Sequence, residues 1–253
     1  MLAVFQTHYS LSSILTLEKP EDVEPDGPQS IIKIAQDYGL KEIVLVEKNL
    51  SGYIDAHLAC KSAQIKLIFG LQMICTQDAT KKDEESLNKN HKIIVFIKNG
   101  AGWSRLLKIS SKANTDFFYY QGRTDFNSLH EHWHKNDLKL CIPFFDSFLQ
   151  KNNLENGSCI PDFSKIRPTF FIENHDLPFN ELLKNLVQNY AKTYNYPVLE
   201  TNTCYYAKKS DFKSFLTYKC IKHRSSLENP NLEWMGDDTF CFEHYINQIG
   251  QNL

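Results

Sequence analysis

Strand-like and helix-like segments alternate along most of this 253-residue chain, and that alternation restricts the fold more than any other feature. The segment SIIKIAQDYGL (30–40) has apolar residues at helical spacing and ends at Gly39, a typical residue for closing a helix. The strand-like segment KEIVLVEK (41–48) follows directly, and PFNELLKNLVQNYAKTYN (178–195) is the clearest amphipathic helix. Repeated strand–helix units predict a parallel sheet with helical crossovers, for which a barrel is the natural closed form.

The remaining segments continue the pattern. Further strands are predicted over 65–75, 91–99, 138–145 and 167–174, and further helices over 52–64, 102–114 and 208–224. The last of these helices is expected to turn Phe212, Phe215, Leu216 and Cys220 inward and its lysines outward. The polar segments 76–91 and 150–165 are predicted to be surface loops. Since no Pro/Gly/Ser-rich linker divides the chain, we expect one domain over residues 1–253.

Composition places the chain among folded proteins of the cell interior. Apolar residues make up 42% of the sequence, which can supply a sizeable core, and the net charge of −2 argues against a broad electrostatic grip on nucleic acid. The seven cysteines form no CxxC pair, so reduced and mostly buried thiols are expected. Neither a signal peptide nor an apolar stretch long enough to cross a bilayer is recognisable. These features predict a soluble, cytoplasmic protein.

Five segments together are typical of one known domain, and they are FQTHYSL (5–11), IIKIAQDYGLKEIVLVEKNLSG (31–52), AQIKLIFGLQM (63–73), IIVFIKNGAGWSRLLKISS (93–111) and YPVLETNTCYYAKKSDF (196–212). Taken in chain order, they resemble the PHP (polymerase and histidinol phosphatase) domain of the bacterial DNA polymerase III alpha type. Two later segments, CIKHRSSLENPN (220–231) and WMGDDTFCF (234–242), are similar to the polymerase-specific tail of that domain, placed here at about 208–253. The resemblance implies an α/β fold, an irregular (β/α)7 barrel.

Active PHP domains hold divalent metals with His, Asp, Glu and sometimes Cys side chains at the strand ends, and use them to hydrolyse phosphoesters. Such ions lower the pKa of a bound water and stabilise the phosphoryl charge. The resemblance places these ligand positions on Val4, Gln6, Glu47, Lys48, Gln72, Phe144, Thr203 and Tyr205. Only Glu47 keeps a good ligand atom, and the ammonium of Lys48 would repel a cation. The resemblance therefore implies a degenerate site with no catalytic residue and no metal or other cofactor.

Two functions remain open at this point. The favoured one is a catalytically inactive, structural module that binds a partner in DNA replication, such as a proofreading exonuclease or a polymerase subunit, with at most an indirect association with DNA. The alternative is a metal-dependent phosphoesterase or 3′–5′ nuclease with a remodelled Zn or Mn site that includes Glu47. A binding module needs exposed aromatic anchors. The candidates are Trp103, Trp133, Trp234 and residues 117–120.

The histidines offer one further motif. In HEHWH, His130 and His134 have the i, i+4 spacing that would clamp zinc on one helix face, although an ordinary helix-to-strand connection is the favoured interpretation. His91 is predicted to lie at the surface or to cap a strand. His175, in the segment ENHDLP, is predicted to lie in an exposed polar turn.

Overall fold

A computed structural model of the chain describes residues 1–227 and 237–250. Within these ranges the strands are β1 Leu2–Phe5, β2 Glu42–Glu47, β3 Lys66–Thr76, β4 Asn90–Ile97, β5 Arg123–Thr124, β6 Leu138–Ile142, β7 Thr169–Ile172 and β8 Val198–Cys204. The α-helices there are α1 Ile31–Asp37, α2 Tyr53–Ser62, α3 Glu84–Asn88, α4 Gly100–Asn114, α5 Phe126–His132, α6 Phe148–Leu154, α7 Asn180–Thr193, α8 Phe212–His223 and α9 Phe242–Gly250. The alternation predicted from the sequence is therefore present.

The chain forms two compact units. The first unit comprises Met1–Phe69, Glu173–Asn180 and Glu200–Leu253. The second unit comprises Gly70–Ile172 and Glu181–Leu199. The expectation of one domain over residues 1–253 stays a prediction.

In the first unit, β1 lies between β2 and β8 and runs parallel to both. Val4 is opposite Val44 on one side and opposite Thr203 on the other. A strand that is covered on both faces has a nearly continuous apolar sequence. The strand β2, EIVLVE, fits this rule, since it is buried from Ile43 onward. The described part of the tail packs on this sheet, where Phe242 of α9 stacks on Phe5 with ring centroids 5.6 Å apart.

In the second unit, the prediction of a purely parallel sheet is wrong at β4. This strand is antiparallel to both β3 and β6, whereas β6 and β7 are parallel. The connection that contains the five-residue helix α3 brings Asn90 opposite Thr76, the last residue of β3. The chain therefore runs back along β3 as an antiparallel neighbour.

The local predictions agree with the structure at Gly39 and differ from it in the two predicted surface loops. Gly39 follows α1 with a φ of 65°, as a helix-closing glycine should. The two predicted surface loops are more ordered than expected, since 76–91 contains α3, begun by a capping box at Asp83, and 150–165 begins within α6. The two-residue strand β5 was not predicted. In α8, Phe215 and Cys220 are buried while Phe212 and Leu216 are half-buried.

Two further expectations concern the whole chain. All seven cysteines are unpaired and buried, as predicted. Among the helices of residues 1–227 and 237–250, none is both long and apolar enough to span a lipid bilayer.

Candidate functional site

Two of the predicted ligand positions, Val4 and Gln6, lie at the end of β1. Val4 is 3% exposed and packs beside Thr203, its neighbour on β8. Gln6 is equally buried, and its backbone N–H donates to the carbonyl oxygen of Cys204 at 3.4 Å. Its side-chain Oε1 has no hydrogen-bond partner among the described residues. At this strand end there is therefore one uncharged amide oxygen where the resemblance implies two imidazoles.

Glu47 ends β2 and is the one carboxylate among the predicted positions. It is fully buried, and its Oε1 accepts hydrogen bonds from the backbone N–H of Thr7 at 2.9 Å and from the Thr7 hydroxyl at 2.6 Å. Its Oε2 accepts a hydrogen bond from the hydroxyl of Ser10. A carboxylate has about four lone-pair positions, so three protein donors leave little of it for a cation.

The electrostatic surroundings of Glu47 also oppose a metal. Burial raises the pKa of the Glu47 carboxyl, while the bonds from Ser10 and Thr7 and the charge of Lys48 act in the opposite direction. The side chain of Lys48 is exposed, and its backbone N–H donates to the Ser10 hydroxyl at 2.8 Å. A divalent cation at this strand end would therefore meet a positive charge instead of a second ligand.

Thr203 and Tyr205, on and just after β8, have taken structural roles. The Thr203 hydroxyl donates to Glu173 Oε1 at 2.8 Å, and its backbone N–H donates to Oε2 at 2.9 Å. The ring of Tyr205 stacks on Phe215 at 5.4 Å and on Phe240 at 5.7 Å. Neither side chain presents the carboxylate or imidazole expected of an active site.

Glu173 and His175 form a buried polar cluster that the sequence analysis missed. His175 Nε2 lies 2.8 Å from Glu173 Oε2, and His175 Nδ1 lies 2.8 Å from the hydroxyl of Thr239. The Thr239 hydroxyl donates in turn to Asp237, so the cluster continues into the tail.

This cluster corrects the expectation of an exposed turn, since His175 is 4% exposed and its ring stacks on Phe240 at 3.7 Å. The sequence signal that could have found it is the alternate placement of Glu173 and His175 in the polar segment that follows the apolar run TFFI of β7. Both carboxyl oxygens of Glu173, both ring nitrogens of His175 and the hydroxyls of Thr203 and Thr239 are hydrogen-bonded within it. The cluster therefore joins the segment after β7 to β8 and the tail.

The second unit contains the remaining two predicted positions. Gln72 lies on β3 opposite Ile94 and is half-buried. Phe144 is fully buried and contacts Phe145 edge-on at 4.8 Å. An amide and an apolar ring therefore occupy the two places where the resemblance expects a carboxylate and a thiol.

The histidine motif does not form a zinc clamp. The helix α5 ends at His132, and Trp133 is already extended, so His130 and His134 do not share a helix face. His130 lies 3.6 Å from Asp162 and His134 lies 3.1 Å from Asp137. Across residues 1–227 and 237–250, no three His, Cys, Asp or Glu side chains are arranged to hold a metal ion.

The aromatic anchor candidates are exposed to different degrees. Tyr120 is 80% exposed and Phe118 is 47% exposed, whereas Phe117 is buried. Trp103 and Trp133 are half-buried. Trp234 lies outside the described residues, as do residues 228–236 of the predicted tail.

Comparison with known proteins gives a consistent result. The family model of the PHP domain matches residues 26–203, more than half of the chain. The DNA polymerase III subunit alpha of Treponema pallidum (strain Nichols) is 23% identical in an alignment of 246 residues that covers 87% of this chain and 21% of the relative. That of Thermus aquaticus is 24% identical in an alignment of 209 residues that covers 78% of this chain and 17% of the relative. That of Aquifex aeolicus (strain VF5) is 30% identical in an alignment of 110 residues that covers 40% of this chain and 10% of the relative.

These matches confirm the resemblance to the PHP domain of polymerase III alpha subunits and the predicted α/β fold class. The chain spans about a fifth, or less, of the length of these relatives.

Proposed function

The chain belongs to the PHP domain family, and on that premise we propose that it is a structural, partner-binding module of DNA replication without the family's metal chemistry. The observation that supports the proposal is the kind of side chain found at the eight predicted ligand positions. One carboxylate remains among eight, and that carboxylate, Glu47, is engaged by Thr7 and Ser10.

The residues present do not fit the metal ions that PHP chemistry requires. Zinc takes three or four nitrogen, sulfur or carboxylate ligands, and manganese prefers several oxygens. The other seven positions offer two neutral amides, two hydroxyls, two apolar side chains and one ammonium group. We therefore assign no catalytic step to this site and no metal cofactor to the chain.

The replication setting is proposed from the relatives, which are DNA polymerase III alpha subunits. A module without chemistry of its own is retained for what it binds, and the partner class that we propose is a replication protein such as a proofreading exonuclease or another polymerase subunit. The net charge of −2 favours an indirect association with DNA, through that partner.

Metal content and hydrolysis measured together test the inactive site. The purified chain is incubated with Mn²⁺ or Zn²⁺, freed of loose ions, and assayed for bound metal and for hydrolysis of bis(p-nitrophenyl) phosphate. We expect neither stoichiometric metal nor hydrolysis. The matched variant is E47Q, which removes the remaining carboxylate while keeping its shape.

Stoichiometric metal and hydrolysis, both lost in E47Q, would overturn the proposal in favour of a remodelled phosphoesterase or 3′–5′ nuclease. The binding role is tested separately by reconstitution with the proofreading exonuclease and the polymerase subunits encoded in the same genome. A chain that forms no complex with any of them would contradict the replication role.

A further inference from the structure

A groove with a volume of about 740 Å³ lies in the first unit between α1 and α2. Volumes of about 300–1,000 Å³ are typical of ligand sites in proteins. Its long wall is one face of α2, formed by Asp55, Leu58, Ala59 and Ser62 at spacings of three and four residues, and the facing wall is formed by Ile32 and Gln36 of α1. We call this feature the α1–α2 groove.

The wall formed by α2 is suited to receive another helix. Leu58 is 56% exposed although it lies in the groove, and the two residues that follow on the same face, Ala59 and Ser62, are small. Small side chains let a second backbone approach closely, and an exposed leucine beside them gives a partner side chain apolar surface to cover. The face is therefore open, with an apolar centre at Leu58 and Ala59 between the polar side chains of Asp55 and Ser62.

The rim of the groove is strongly acidic. The adjoining segment EKPEDVEPD (18–26) has five carboxylates and one lysine, a net charge of −4, whereas the whole chain has a net charge of −2. All five carboxylates are exposed, and in the part of the chain that the structure describes none of them forms a salt bridge. Three of them, Glu18, Glu21 and Asp22, line the groove itself.

A second cleft, of about 770 Å³, lies on the other side of the same segment, and Glu18 and His8 line both clefts. Thr16 lines this second cleft. It is 7% exposed, and its hydroxyl has no hydrogen-bond partner among the described residues. A long cationic side chain that crosses Glu18 would therefore find a hydrogen-bond acceptor beyond it, in addition to the carboxylate of Asp26.

We propose that the α1–α2 groove is the docking site for a basic amphipathic helix of a partner protein. The apolar face of that helix lies on Leu58 and Ala59, and its lysines or arginines lie against segment 18–26. The charge of the rim selects this occupant, since it repels nucleic acid and acidic peptides and attracts a cationic helix. The inference rests on the proposed function, because it names the surface and the chemistry of the partner for a partner-binding module.

The experiment uses a fluorescein-labelled model peptide of about 15 residues, with leucines on one helical face and lysines on the other, since shorter isolated helices are marginal. Its binding to the full chain is followed by fluorescence anisotropy. A second peptide of the same composition with its leucines scattered around the helix serves as the probe for charge attraction alone.

Two pairs of protein variants separate the groove from the rest of the surface. A59W fills the groove, and E21K/D22K reverses its rim. The matched controls are I54W, on an exposed part of α2 outside the groove, and D116K/D176K, which reverses two exposed carboxylates elsewhere. S62W replaces A59W if the latter fails to fold, as judged by circular dichroism.

We expect A59W and E21K/D22K each to weaken binding of the amphipathic peptide about tenfold, while the controls change it less than about twofold. Equal effects in groove variants and controls, equal binding of the two peptides, or no binding at all would overturn the docking site. A chain that fails this test but binds a replication subunit through another surface, and no metal, would leave the proposed function intact. The two proposals therefore fail separately.

Discussion

His91 on β4 gives the sharpest prediction, because the structure buries a histidine that the sequence predicts at the surface or as a strand cap. The side chain is 3% exposed, and neither ring nitrogen has a hydrogen-bond partner among the described residues. It lies opposite Cys75 of β3, contacts the ring of Phe148 edge-on at 5.8 Å, and lines a cavity of about 180 Å³. Burial lowers the pKa of His91 from 6.5 to about 4.

The magnitude follows from proton linkage. Between these two pKa values the unfolded chain binds a proton at His91 that the folded chain does not. The free energy of unfolding is therefore unaffected by His91 above about pH 6.5 and decreases as the pH falls toward 4. A shift from 6.5 to about 4 corresponds to about 3.4 kcal/mol in total, and about 2 kcal/mol of this is lost between pH 7 and pH 5.

The variant His91→Phe keeps an aromatic ring and removes the proton site, and the adjoining cavity leaves room for the larger ring. Urea unfolding at pH 7, 6 and 5, followed by far-UV circular dichroism, gives the free energy of unfolding of both proteins. Other titrating groups contribute equally to both, so the difference between wild type and variant isolates His91. His57→Gln, at an exposed position on α2, is the control.

We expect the free energy of unfolding of the wild type to fall by about 2 kcal/mol more than that of His91→Phe between pH 7 and pH 5. His57→Gln should behave as the wild type. If His91→Phe loses as much stability as the wild type over this pH range, then burial does not lower the pKa of His91 in the folded protein, and the prediction is refuted.

Three further substitutions test the packing. Gly102→Ala should lower the free energy of unfolding by about 3 kcal/mol, because its Cβ would lie 2.1 Å from the carbonyl oxygen of Asp137. Gly100→Ala, where a Cβ would meet open space, is the control. Equal melting temperatures of the two variants would contradict this prediction. Glu47→Ala should lower the free energy of unfolding, measured in urea, by about 3 kcal/mol, because three buried donors lose their acceptor. Glu47→Gln should lower it less. Arg123→Met should cost about 3 kcal/mol, because the fully buried guanidinium donates to several carbonyls; a variant as stable as wild type would show that those bonds add nothing.

Periodicity predicted most of the fold, because strands and helices that bury one face repeat their apolar residues at fixed intervals. The helices α1, α2, α4 and α7 begin and end within about two residues of their predicted bounds, as do β2, β3 and β4. Gly39 closes α1 because its φ of 65° is open to glycine without strain. These features depend on local sequence, which is why sequence alone could find them.

The direction of β4 and the burial of two histidines depend on contacts between distant segments. The polar segment 76–91 looks like a surface loop, yet Ala79 within it is fully buried and Arg123 reaches it from 37 or more residues away. His175 has polar neighbours in sequence, and only the folded chain brings Phe240 and Thr239 against it. No periodic pattern records such contacts, so they could not be predicted.

Glu47, a predicted ligand position, and Glu173, which the sequence analysis did not predict, are bonded in the same way. Each ends or follows an apolar strand, accepts hydrogen bonds from the backbone N–H and the hydroxyl of one threonine, and is hydrogen-bonded to one further side chain. A buried carboxylate is costly unless it is bonded in this way, and a carboxylate so bonded gains little from a cation. The hydroxyls of Thr7 and Thr203 therefore help to stabilise the buried carboxyl groups of Glu47 and Glu173. We therefore predict that histidines introduced at Val4 and Gln6 would not suffice to create a metal site, because Glu47 would first have to be released from Thr7 and Ser10.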